Sequence, residues 1–270
     1  MAVKRGAIHA ALILGLIAML LPFWWVLAAS LSSTSHLLNF PASLWPEWKF
    51  STYAQAWAEA PWGQYFGNTL LIAACTVVLT LITSTLAGFA LAFSRSRIAP
   101  ILFGVIIATM FVPQETTLIP LYLLMARLNW LNTYIAQIVP WAATAFGVLL
   151  MRQFLLSFPS ELVDAAAIDG ATGLGFLRWV CLPNLKPAIV TVGLFSFLGS
   201  WSAFLWPLLI TDNPARRPIE VGLQTFVSEN GVNYPLYSAA AVITVVPVIL
   251  LFIWLQRYIV ESVARSGMTG

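Results

Sequence analysis

Pro159-Ser-Glu-Leu-Val-Asp-Ala-Ala-Ala-Ile-Asp-Gly-Ala-Thr172, followed shortly by Leu182-Pro183, is the stretch on which the reading of this chain turns. It lies in a polar island from about Arg152 to Pro187 that holds the acids Glu161, Asp164 and Asp169 and the bases Arg152, Arg178 and Lys186. Such a segment cannot sit in hydrocarbon, where each unpaired charge costs roughly 3 kcal/mol on the insertion scale. It belongs in water, at one face of a membrane. Ser160 is an N-cap residue type. Glu161 and Asp164 follow in the first turn, where the helix dipole favours negative side chains. Ala165, Ala166 and Ala167 are strong helix formers that leave a smooth face. Gly170 suits the left-handed residue that closes a helix. A second short amphipathic helix is expected over Phe176–Leu182, stopped by Pro183. The segment 157–187 therefore predicts two short helices joined by a glycine turn on a membrane surface. It is either a docking element for another protein or a plain connection between two spans.

Outward from the island the chain is apolar: of 270 residues, 60% are hydrophobic and 9% charged, which excludes an ordinary soluble domain. Six runs reach the ~20 residues that a membrane-crossing helix needs, at about 7–29, 68–93, 100–125, 134–156, 188–210 and 236–260. The fold class predicted is an all-α membrane protein with one transmembrane domain over 1–270 and outer loops at 30–66 and 211–235. Lys4, Arg5, Arg95, Arg97, Arg152, Arg178, Lys186, Arg257 and Arg265 fall on the side that holds both termini, against Lys49, Arg127, Arg216 and Arg217 on the other. That bias assigns the termini and the island to the cytoplasm. A scattered net charge of +3 gives no surface for nucleic acid. Cys75 lies in a span and Cys181 in the island, so both are expected as free thiols. Lys4-Arg5 ahead of an apolar run looks like the start of a signal peptide. The run is too long and lacks a clear cleavage site, so a retained first span is expected.

Other features are candidates for contact with a solute or partner. Residues 30–66 carry Trp45, Trp48, Trp57 and Trp62. They predict an amphipathic helix over about Phe50–Ala60 in the headgroups, compatible with a platform for an outer partner. His9 reads as interfacial, and His36 has no evident partner. The middle of the third run, Val112-Pro-Gln-Glu-Thr-Thr-Leu-Ile-Pro120, places a carboxylic acid between two prolines. A broken span is tolerated where it faces protein or a water-filled cavity. Gln114, Glu115 and Thr117 are therefore candidates for a translocation path, the alternative being a Glu packed against another helix. In the fifth run Phe197, Trp201 and Phe204 recur at helical spacing and predict one aromatic face. With Ser200 and Ser202 beside it, that face could stack on sugar rings and bond hydroxyls, or simply pack against protein or lipid. Glu229-Asn230-Gly231-Val-Asn233 is a turn signal in the second outer loop, either a contact tip or a solvated connection.

Asp164-Ala165-Ala166-x-x-x-Gly170 with Leu182-Pro183 resembles the EAA loop of ABC importer permeases. The fuller form Pro159-x-Glu-Leu-x-Asp-Ala-Ala-x-Ile-Asp169-Gly-Ala is similar to the carbohydrate-type group that includes the maltose and glycerol-3-phosphate importers. Trp201-Ser-Ala-Phe-Leu-Trp-Pro-Leu-Leu-Ile-Thr-Asp212 resembles the fifth-span ending of the same group. Asp164 stands where the family usually has Glu, which keeps the charge with one methylene less reach. The resemblance implies a six-span permease with both termini cytoplasmic. Its coupling helix, with Glu161, Asp164, Ala165, Ala166, Asp169, Gly170 and Pro183, would dock into one of two ATPase subunits. It also implies a second, different permease chain and an outer solute-binding protein facing Glu229, Asn230, Gly231 and Asn233. ATP and Mg would reside on the ATPase partners.

The chain itself offers no chemistry to rival that reading. No Gly-x-x-x-x-Gly-Lys-Ser/Thr loop, HExxH or Cys/His cluster occurs. Gly170-x-x-Gly173-x-Gly175 has the wrong order for a dinucleotide loop and follows a helix. No cofactor or metal is expected in this chain, and a membrane enzyme finds no catalytic constellation. A self-sufficient secondary carrier is the alternative, though internal repeats and several buried ionisable groups would then be expected.

Overall fold

The computed structural model describes residues 2–39, 44–171, 173–229 and 231–266. Three helices are long and apolar enough to cross a bilayer. They are Ile8–Ser30 within α1 (Ala2–Ser30), α4 (Trp62–Phe93), and Tyr234–Trp254 within the helix Tyr234–Ser266. None of these three apolar windows contains Asp, Glu, Lys or Arg, so nothing interrupts them.

The remaining crossings are bent pairs, which brings the total to six if each pair is one span. α5 (Ala99–Ala108), prolonged by a 3-10 turn to Phe111, meets α6 (Gln114–Arg127) at 100°. Val112, the residue before Pro113, is extended, as a residue preceding proline prefers, and that ends the helix. Tyr134–Trp141, which begins as α7 (Tyr134–Ile138), meets α8 (Ala145–Leu156) at 42°. Here Thr80 and Thr83 of α4 donate to the carbonyls of Trp141 and Ala142 at 3.0 and 2.7 Å, and so satisfy backbone that the break sets free. Leu174–Asn184 meets Lys186–Trp201 at 81°. The runs expected as rods at 100–125, 134–156 and 188–210 are therefore broken. The last of them stops at Trp201 and restarts as Leu205–Ile210. Pro207 lies in the first turn of that restart, where no N–H is needed.

Contacts divide the chain into two compact units, 1–63 with 219–250, and 64–218 with 251–270. In the first, α2 (Thr34–Leu38) follows α1 and is capped by Ser33, whose side chain accepts from the His36 N–H. The Ser33 N–H donates to Glu47 Oε2 at 2.7 Å. His36 is not unpartnered, as its sequence context suggested. Its Nδ1 lies 3.5 Å from Glu47 Oε1 and its Nε2 3.0 Å from the Trp45 carbonyl. The hydrogen bonds from Ser33 hold the Glu47 carboxyl below its usual range, with His36 and Lys49 adding to the effect. α3 (Ser51–Ala58) is the expected surface helix, slightly shorter than 50–60. Trp45, Trp48 and Trp57 are exposed. Trp62 is instead core: its indole donates to the Ala56 carbonyl at 2.7 Å and its ring stacks on Phe226 at 6.2 Å.

Glu220, in the first turn of Ile219–Gly222, is pushed above the usual carboxyl range by burial. The folded state thus holds this proton more tightly than the unfolded chain. The stability that the protonated form supports is complete below the unfolded value and is lost as pH rises through the raised folded value. A Glu220→Gln variant is expected to melt with the parent near pH 4 and above it near pH 7.5, read by thermal unfolding of the detergent-purified protein at the two pH values.

The second unit is built around α4 and α8. Their close approach is set by Gly88, which lies against Met151, and by Gly147, which lies against Ser84. Arg152 ties the end of α8 to its neighbours: its Nε donates to the Leu91 carbonyl at 3.3 Å and its guanidinium lies 4.2 Å over the Phe103 ring. Both cysteines are free, as expected.

Candidate functional site

The polar island folds into α9 (Ser160–Ile168) and the helix Leu174–Asn184. α9 closes as its sequence predicts: Gly170 takes φ +72°, and the Ala171 N–H reaches back to the Ala166 carbonyl at 2.8 Å. Ser160 is the first helical residue, and its side chain lies outside the described part. The second helix differs from the expected Phe176–Leu182 ending at Pro183. It starts at Leu174, widens into a π turn over Leu177–Cys181 and runs through Pro183 to Asn184. A turn already wider than α tolerates a residue with no N–H. The Asn184 amide donates to the Val180 carbonyl at 2.8 Å, and the chain then bends into Lys186–Trp201.

The alanine run does not present one smooth outer face. Ala166 is 5% exposed and packs in this chain's own core with Phe176, Leu177 and Cys181, beside Met151 and Leu155 of α8. The Phe176 ring meets Phe89 and Phe93 of α4 at 6.1 and 5.3 Å. The island is thereby fastened to the ends of two membrane helices. Its outward edge holds Glu161, Leu162, Asp164, Ala165, Ile168, Asp169 and Gly170, with Pro183 exposed on the second helix. Ile168 is 85% exposed, and Trp179, under the Arg178 guanidinium at 5.0 Å, is 71% exposed. Large apolar side chains this bare on an edge that also carries three acids mark a contact surface.

A cavity of about 530 Å³ opens in the second unit between α4, α6, α7 and Lys186–Trp201. Gln114 and Glu115 line it from the first turn of α6, and Ser202 and Phe204 from the break after Trp201. The other expected path residues are turned elsewhere. The Thr117 hydroxyl donates to the Gln114 carbonyl at 2.8 Å. Phe197 stacks on Trp201 at 5.4 Å, and Trp201 is buried against Phe66 at 6.1 Å. Phe204 does not share their helix face, because that helix has already ended.

Sequence reasoning missed Gln137, Thr76 and two aromatic pairs on the same lining, Trp141 with Trp206 and Phe146 with Phe195, each edge-to-face. An amide within an apolar run was the available signal for Gln137. Gln137 Oε1 and Thr76 Oγ1 are buried without a hydrogen-bond partner among the described residues. Beside the cavity the loop that follows Ile210 is strapped down. Asn68 Nδ2 donates to the Ala215 and Arg217 carbonyls at 3.0 and 2.9 Å, and its Oδ1 accepts from the Tyr134 hydroxyl at 2.8 Å. Further on, Val227–Ser228 pairs antiparallel with Gly231–Val232, and Gly231 takes φ +118°. The turn expected at 229–233 is thus a hairpin end that carries exposed Glu229 and Asn233; Asn230 lies outside the described residues. No group of acids, His or Cys among the described residues could hold a metal ion.

Residues 84–265, which take in the island, most of the cavity lining and the hairpin, match the family of binding-protein-dependent transport system inner membrane components. The chain belongs to this family. It is a membrane-spanning permease component of the inner membrane. It is 34% identical to the sulfoquinovosyl glycerol transport system permease protein SmoH of Agrobacterium fabrum, over 93% of this chain and 89% of that one. It is 35% identical to the arabinooligosaccharides transport system permease protein AraQ of Halalkalibacterium halodurans, over 76% and 74% of the two chains. The permease also shares its fold with a chain of a bacterial ABC transporter involved in import of the acidic polysaccharide alginate. The TM-score is 0.82 at 24% identity, covering 96% of this chain and 98% of that one.

Proposed function

We propose that this permease forms half of the path by which an ATP-driven importer takes up a carbohydrate or related solute delivered by an outer solute-binding protein. In this reading the whole of 1–270 is one transmembrane domain with six spans and cytoplasmic termini. The chain is not itself an enzyme. ATP and Mg are held by two nucleotide-binding partner chains, and a second, different permease supplies the other half of the path. The observation that carries the proposal is the two-sided build of the island. One side is fixed in the chain's own core through Ala166 and Phe176, and the other offers Ile168, Ala165 and the acids Glu161, Asp164 and Asp169. A segment held that way moves with the spans when something outside pulls it. The cavity supports a sugar-like cargo, because aromatic edges and faces suit the C–H surface of a ring while Gln114, Ser200 and Ser202 suit its hydroxyls. Glu229, Asn230, Gly231 and Asn233 are the proposed contact with the binding protein.

A photo-crosslinker at Ala165 or Gly170 is expected to capture an ATP-hydrolysing chain in native membranes, and one at Gly231 the solute-binding protein. Capture of neither, with nucleotide-independent uptake by the purified chain alone, would support a self-sufficient carrier instead.

A further inference from the structure

Resting on that carbohydrate reading, we infer that the cavity selects an uncharged polyhydroxylated cargo against its anionic counterparts, with Glu115 as the specificity-determining residue. The first argument is charge. Among the described residues that line the cavity, Glu115 is the sole ionisable side chain. It is exposed, and it sits in the first turn of α6, where the helix dipole stabilises a negative group. The N-terminus of α6 is therefore already answered from within the chain, and that of α8, on the same lining, is capped by Thr144, whose hydroxyl accepts from the Gly147 N–H at 3.1 Å. Arg216 and Arg217, in the adjoining outer loop, do not line the cavity. Arg216 donates to the Asn132 carbonyl and lies 5.6 Å from the Tyr134 ring centre, and Arg217 donates to the Asp212 carbonyl at 3.2 Å.

The second argument is hydrogen-bond polarity. Gln137 Nε2 donates to the Arg216 carbonyl at 3.2 Å. A carbonyl only accepts, so the amide cannot be flipped, and the oxygen is the end left over. Gln137 Oε1 is buried in the cavity wall with no partner among the described residues. The negative end of its dipole is thus uncompensated and adds to the field of Glu115. Hydroxyl groups, which donate, suit such a lining. Carboxylate, phosphate and sulfonate oxygens do not. Two like charges about 7 Å apart at an effective dielectric of about 20 weaken binding by more than tenfold.

The test uses the importer purified with its co-expressed partner chains in lipid nanodiscs. Its probes are methyl glucoside and methyl glucuronoside, which differ by a hydroxymethyl against a carboxylate. Binding is followed by saturation-transfer NMR titration without the solute-binding protein. The parent is expected to prefer the neutral probe at least tenfold. Glu115→Gln is expected to bring the two within about threefold of each other by improving the anion, with the melting temperature unchanged. Glu115→Lys is expected to reverse the preference. Equal binding of both probes by the parent, or a preference that survives Glu115→Gln, would overturn the charge selection and leave the carbohydrate reading standing. Binding of neither probe to any variant would overturn both.

Discussion

Gly88→Ala is expected to destabilise this permease by about 3 kcal/mol, seen as a lower melting temperature and a loss of monodisperse protein after extraction. The size of the effect follows from what the new methyl would meet. Its carbon would lie 2.8 Å from Met151 Cβ and 3.0 and 3.2 Å from the backbone N of Arg152 and C of Met151. None of those atoms can rotate aside, so α4 and α8 must separate along their shared edge. Arg152 is bonded to Leu91 across that edge, and Met151 lies at the bottom of the core that holds the island. Gly147→Ala makes an informative contrast. Its methyl would fall 2.2 Å from Ser84 Oγ and 2.8 Å from Thr144 Oγ1. Both are hydroxyls, and the nearer has no hydrogen-bond partner among the described residues. Ser84→Ala alone is therefore expected to be neutral or to stabilise by about 1 kcal/mol. Combined with Gly147→Ala it should recover part of the damage. No second-site change offers the same relief at Gly88, where the obstacle includes the main chain.

These contacts also show what could and could not be read from the sequence. The three uninterrupted spans were legible because a run of apolar residues without a charge is long enough to cross and has nowhere else to go. The end of α9 was legible because Gly170 takes a conformation that other residues adopt at a cost. The course through Pro183 was not, since the rule that proline stops a helix assumes α-type bonding, and the π turn before it already departs from that. The break after Trp201 carries no Gly or Pro of its own; Pro207, which has no N–H to offer the carbonyl of Ala203, lies in the next helix. The face of α9 that turns inward was hidden for a different reason. Three consecutive alanines give no contrast between faces, so nothing in the run itself shows that Ala166 packs into the core beside Phe176. The clasp of His36 with Glu47 joins a residue of the short helix α2 to a loop position, and no periodicity connects them.

Ile168→Glu is expected to lower ATP-driven uptake at least tenfold while leaving the melting temperature of the purified protein within a degree or so of the parent. Ile168 is 85% exposed, so in this chain alone its side chain supports almost nothing. If the outward edge of α9 is gripped by a partner, covering that side chain contributes about 1.5–3 kcal/mol to the grip, and a carboxylate in its place must also be desolvated. The loss then falls on transport and on nucleotide-dependent complex formation, with folding untouched. Ala166→Leu separates this cause from general damage. At 5% exposure, among Phe176, Leu177 and Met151, the larger side chain overpacks the core and should lower melting temperature and uptake together. An Ile168→Glu permease that pumps like the parent would put the grip on another edge, and the exposed Trp179 on the second helix would be the next place to look. One that loses uptake and stability in parallel would mean that Ile168 is a folding residue. Only loss of uptake at constant stability matches a segment built to be held on one side by its own spans and on the other by a separate motor.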